Sequence, residues 1–166
     1  MSRDERVNAI AYRLQTRGAK LCPASSPQPS FFLRDVHSRV VDAVVPGSPA
    51  AEAGLRPGDA ITTVAGVPAD DAHAVDLLDS AFAKGRIQLG LSDGRALNFS
   101  AETGCGFSIS VDHGGGLDAW ADGKAVALTA KMVDFTHDDD ELALIIAHEL
   151  SHNIFGHKAQ LDARHV

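Results

Sequence analysis

The string His148-Glu149-Leu150-Ser151-His152 constrains this chain more than any other feature. On a helix, residues four apart share a face, one turn from each other. His148 and His152 can then turn two imidazole nitrogens toward one zinc ion. Glu149, one step round the helix, is placed to act on a water there. Leu142, Leu144, Ile145, Ile146 and Ala147 lead into the motif and are apolar on all sides, which predicts a helix buried in a core. A carboxylate and two imidazoles are costly to bury unpaired on such a helix, and metal ligation removes that objection. The alternative is a solvated HExxH on an ordinary helix end.

The zinc helix is expected over 138–160. Thr136 or Asp138 can cap it, with Asp139 or Glu141 completing a capping box, and the acidic cluster suits the positive end of the helix dipole. On a continuous helix His157, nine residues past His148, points about 180° away from it. It therefore reads as structural unless Gly156 breaks the helix. Its spacing also departs from the metzincin pattern. His165, near the chain end, reads as a disordered or solvated residue. A catalytic zinc takes three protein ligands plus water. No Glu follows Glu149, and only Asp162, His157 and His165 offer local alternatives. The expectation is that a Glu beyond Val166 completes the site, the chain being the front portion of a longer protein.

Net charge of −7, with no basic stripe and no aromatic platform, argues against nucleic acid as a partner. No stretch approaches a transmembrane span, and MSRDERVNAIAYRL has no signal-peptide core; membrane association is left open. Cys22 and Cys105 belong to no CxxC motif and are either free thiols or a disulfide.

Val7, Ile10, Ala11 and Leu14 give residues 4–17 the spacing of an amphipathic helix ending at Gly18. CPASSPQPS, 22–30, reads as a linker or extended segment. From 31 to 102 strands and turns alternate. A strand over 40–45 meets Pro46-Gly47, and Ser48 caps a short helix with Pro49 at its first position. Pro57-Gly58-Asp59 turns into a strand over 60–65. Asp70 or Asp71 caps a helix bearing Ala74, Leu77, Leu78 and Phe82. Ser92-Asp93-Gly94-Arg95 joins two further strands, 87–91 and 96–100. The stretch SPAAEAGLRPGDAI, Ser48 to Ile61, resembles the bacterial HtrA-type PDZ domain. The resemblance implies a small β-sandwich or barrel with two helices and a peptide groove. That groove is expected between the strand 40–45 and the helix 71–82, with Val41, Val44, Leu77 and Leu78 as its residues. The loop expected to capture a terminal carboxylate is Gly-rich in that family, and FFLRDVHSRVV has no glycine.

After 103, alternating Phe107 to Val111 reads as a strand, and LDAWA–Asp122-Gly123–KAVALTA reads as a hairpin leading into the zinc helix. The strings DAWADGKAVALTAKMVDF, DDELALIIAHELSH and His157 resemble gluzincin metallopeptidases of the CAAX prenyl endopeptidase and HtpX type. The resemblance implies His148 and His152 as zinc ligands, Glu149 as general base, and a downstream Glu with no counterpart here. The family commonly has Asn where this chain has Asp118. The implied fold is α+β: an N-terminal helix and linker over 1–30, a PDZ-like domain over 31–102, and a partial zincin-type hairpin plus HExxH helix over 103–166. That layout puts Cys22 and Cys105 at the two ends of the inserted module, where a bridge would close it. The implied function is a zinc endopeptidase with a PDZ module, acting on proteins or peptides. The strand 124–130 is the expected substrate edge, and the expected location is the bacterial envelope or periplasm, with the cytoplasm as alternative. The rival reading is a noncatalytic PDZ adaptor.

Overall fold

The computed structural model describes residues 1–164; His165 lies outside the described residues. In chain order the elements are α1 (Arg3–Arg17), β1 (Ser25–Pro27), β2 (Phe31–Leu33), β3 (Val41–Val44), α2 (Pro49–Glu52), β4 (Ile61–Val64), β5 (Val67–Pro68), α3 (Ala74–Ala83), β6 (Arg86–Leu91), β7 (Ala96–Ser100), β8 (Thr103–Cys105), β9 (Ser108–Asp112), β10 (Ala119–Ala121), β11 (Ala125–Thr129), α4 (Ala130–Phe135), α5 (Asp139–Ile154) and α6 (His157–Arg164). The fold is α+β with several small sheets. Among the described residues none closes into a barrel. The chain forms two compact units, Met1–Ser25 with Gly104–Val166, and Ser26–Thr103.

In the first unit, Ser2 and Glu5 form a reciprocal capping box that starts α1. Val7 and Ile10 pack with Val126 and Leu128 of β11 and with Leu142, Ile146 and Leu150 of α5. β10 and β11 form the expected hairpin around Asp122-Gly123, and β9 then pairs parallel to β11, so the order is β10-β11-β9. β11 is thus the central strand. It ends at Thr129, whose hydroxyl accepts from Met132 N–H and so starts α4, a separate short helix ahead of α5. Asp138 caps α5 by accepting from the N–H groups of Asp140 and Glu141. Glu141 does not complete the box; its carboxylate accepts from His137 N–H at 2.8 Å.

Two expectations for α5 are corrected. It stops at Ile154 rather than 160, because Gly156 adopts φ +64° and α6 starts afresh at His157. It is also not buried all round. Leu142, Ile146, Leu150 and Asn153 form the buried stripe, whereas Leu144 is 72% exposed.

Arg3 grips Asp134 through Nε and Nη2, both at 2.7 Å. Arg6 bonds Asp139 at 2.7 Å and donates through Nη1 to Val133 O and Thr136 Oγ1. These two arginines tie α1 to both ends of the α4–α5 turn. Cys22 and Cys105 are disulfide-bonded, with Cα atoms 5.4 Å apart.

The second unit has a four-stranded antiparallel sheet, β5-β4-β6-β7, and a ribbon, β2-β3, joined to it by the Val40–Ala60 bridge. Ile61, Val64, Ile87, Leu89 and Leu91 from the sheet enclose Leu78 and Ala74 of α3 and Ala50 of α2. Ser48 caps α2 with Pro49 at its first position. Arg95, from the Asp93-Gly94 turn, donates to Gly54 O at 2.7 Å and pairs with Asp59. It thereby clamps the Gly54–Asp59 loop onto the β6–β7 hairpin.

Candidate metal centre and peptide groove

One turn of α5 separates His148 and His152, and their Nε2 atoms lie 3.2 Å apart. Two nitrogens held at 2.0–2.1 Å from a tetrahedral zinc are about 3.3 Å from each other, so the pair fits one such ion. Glu149 is half-buried, and His148 is exposed. Glu149 and His152 line a cleft of about 320 Å³ together with Trp120, Ala121, His157 and Asp162.

The break at Gly156 turns His157 back toward α5. Its Nδ1 lies 2.8 Å from Nδ1 of His152, and its ring stacks on Phe155 with centroids 5.9 Å apart. His152 thus has His148 at one ring nitrogen and His157 at the other. His157 therefore stands behind His152, away from the Nε2 pair. Among the described residues no three His, Cys, Asp or Glu side chains gather into a metal-binding group.

Asn153 escaped the sequence reading. It is buried at the end of the α5 stripe, accepts from Gly123 N–H at 2.6 Å and donates to Ala125 O at 2.9 Å. One amide thus pins the β10–β11 turn to α5 beside the cleft. The available signal was its place three residues beyond Leu150 on the apolar stripe, where a polar side chain must find partners. The turn has further support. Asp122 accepts from the N–H groups of Lys124 and Ala125, which hold its carboxyl below the usual range.

The expected substrate edge is also corrected. The strand within 124–130 is β11, and both its sides are occupied, by β10 and by β9. The edge beside Glu149 and His152 belongs to β10.

In the second unit a groove of about 360 Å³ runs between β2 and α3, lined by Phe31, Phe32, Leu33, Val36, Leu78 and Phe82 among others. Of the expected groove residues only Leu78 lines it. Val41 is fully buried in the core, and Val44 and Leu77 pack against that core. The displacement has a simple cause. β3 is tied to the larger sheet through Val41 N–H to Asp59 O and the Val40–Ala60 bridge, leaving β2 as the outer strand. Ser30 O accepts from Val45 N–H and Arg34 N–H donates to Val40 O, the residues flanking β3, so antiparallel alternation turns the N–H and C=O of Phe31 and Leu33 outward.

Residues 40–84 match the family model of the PDZ domain, and residues 86–165 match that of Peptidase family M48. The second match begins within β6 and takes in His148, Glu149, His152 and His157. No curated protein matches the chain. Among solved structures, a PDZ domain protein from Parabacteroides distasonis is similar, at 21% identity and a TM-score of 0.41, over 49% of this chain. The match spans 21% of that protein's chain.

Proposed function

We propose that this chain is part of a zinc-dependent endopeptidase, of the CAAX prenyl endopeptidase and HtpX-like kind, with a PDZ module of HtrA type that binds peptides. The match to Peptidase family M48 supports a peptidase. The observation that carries the finer reading is the 3.2 Å approach of His148 and His152 Nε2 beside a half-buried Glu149. His148 and His152 would hold the ion. A third protein ligand would complete the site. Zinc, when bound, supplies a Lewis acid that polarises a peptide carbonyl and acidifies a water.

The chain's own residues do the rest. Glu149 takes the proton of the attacking water and passes it to the leaving nitrogen. β10 offers its open edge to an extended substrate, holding the backbone along the cleft. His157 holds the His152 ring by its far nitrogen, so that Nε2 keeps its lone pair for the ion. The Cys22–Cys105 disulfide supports an oxidising compartment such as the bacterial periplasm. A metal-independent PDZ adaptor is the second reading, favoured by the open edge of β2.

Cleavage of unfolded casein by a longer polypeptide that carries the third ligand tests the first reading. Glu149→Gln should keep its zinc and lose cleavage by at least about a hundredfold. Unchanged cleavage would remove Glu149 from the mechanism. The 166-residue chain alone should bind zinc weakly and cleave little.

A further inference from the structure

We propose that the groove between β2 and α3 takes an internal, extended, apolar segment carrying a lysine or arginine, and does not capture a free C-terminus. The inference rests on the peptide-binding reading of the PDZ unit and specifies its ligand.

The backbone supplies the first argument. Phe31 and Leu33 turn their N–H and C=O groups outward, which gives an extended peptide a register of main-chain bonds. The apolar lining then receives alternate side chains. Phe31 and Phe82, both in the lining, meet at 5.6 Å between ring centroids.

A terminal carboxylate needs donors at that end, before β2. Residues 27–29 are Pro27, Gln28 and Pro29. The two prolines have no N–H to give. Gln28 spends its N–H on Glu102 O at 2.8 Å. Residues 27–29 therefore offer no free amide, and the amides left at that end are those of Ser30 and of the strand itself.

Charge supplies the second argument. The groove is lined by two carboxylates, Asp35 and Asp79, and by no Lys, Arg or His. Both are exposed. Their field repels a peptide carboxylate and attracts a cationic side chain. Asp35 adjoins Val36, which is 66% exposed at the rim. Asp35 accepts from His37 N–H at 2.7 Å, and an apolar segment without a cation would leave both acids without a positive charge beside them. One with a free terminus would add a third negative charge.

The experiment is fluorescence anisotropy with the 166-residue chain and three labelled decapeptides of alternating valine and serine. One has a central lysine and an amidated end, one a central glutamate and an amidated end, and one a central lysine and a free terminal carboxylate. The lysine amide should bind about fivefold to tenfold more tightly than the glutamate amide, and the free acid no more tightly than the amide. In the Asp35→Lys, Asp79→Lys double variant the lysine preference should vanish or reverse. Both positions are exposed, the change removes the His37 N–H to Asp35 bond of a surface turn, and thermal unfolding checks that the fold persists. Tighter binding of the free acid than of the amide by fivefold or more would overturn the proposal while leaving the groove a peptide site. A lysine preference untouched by the double variant would overturn it too. Binding of none of the three would reject the peptide-binding reading itself.

Discussion

The Nδ1 atoms of His152 and His157 lie 2.8 Å apart, while Nε2 of His152 faces Nε2 of His148 at 3.2 Å. A neutral imidazole carries one N–H and one lone pair. If His157 accepts at Nδ1, the proton of His152 sits on its own Nδ1 and its Nε2 is the free acceptor. The contact exists only because Gly156 interrupts the helix between them.

His157→Phe should therefore release that choice. In the metal-free chain, nitrogen-resolved imidazole spectra should show His152 as the Nδ1–H tautomer in the parent and as a mixture in the variant. Zinc affinity should fall by about tenfold to a hundredfold. An unchanged tautomer with unchanged affinity would mean that His157 only fills space beside Phe155.

Asn153→Ala removes the acceptor of Gly123 N–H and one of the donors to Ala125 O, which keeps the N–H of Asp122. Chemical denaturation should show a loss of about 1–3 kcal/mol. Exchange protection should drop at Gly123 before it drops in the α5 core.

The disulfide closes a sequence separation of 83 residues. Replacing Cys22 and Cys105 together by serine should cost about 2–4 kcal/mol of stability. Two titratable thiols in unfolded, unreduced protein would show that the bridge does not form in solution.

Acid should weaken the first unit through its carboxylates. Asp134 is held below the usual carboxylate range, first by its hydrogen bond from Arg3, and Glu141 first by the backbone N–H of His137. A depressed folded-state value means that the stabilising contribution is complete above the unfolded value. It is lost as pH falls through the folded one, below about pH 4. Arg3→Ala should flatten this acid limb of the melting-temperature profile. Both partners are exposed, so the change should be small and should shrink with salt.

Ala65 sits at φ +50° in the turn before Gly66, a conformation that alanine adopts at a cost. Ala65→Asn should raise stability of the second unit by about 0.5–1 kcal/mol, read from thermal unfolding. A loss would mean that the turn relaxes elsewhere.

What could be read from the sequence was mostly local. The capped start of α5, the i, i+4 histidines and the hairpin at Asp122-Gly123 are written within a few residues of each other. Non-local pairing was not. Nothing near Ser108–Asp112 announces that it lies parallel to β11 and turns the expected substrate edge into a central strand. β2 is only three residues long and follows a proline-rich stretch, so its residues carry little strand signal and the longer apolar run at 40–45 looks like the groove strand. The stop at Gly156 was visible as a possibility, but only the folded chain shows that it brings His157 to the back of His152. Arg95, which joins two loops 41 residues apart, has no local signature at all.

The most direct test is to titrate the chain with zinc and follow the imidazole nitrogens of all eight histidines. The account predicts that the Nε2 signals of His148 and His152 shift together, with His157 responding only at a distance, and that Ala at either position abolishes the response of both. Zinc-induced shifts at other histidines with His148 and His152 silent would contradict it.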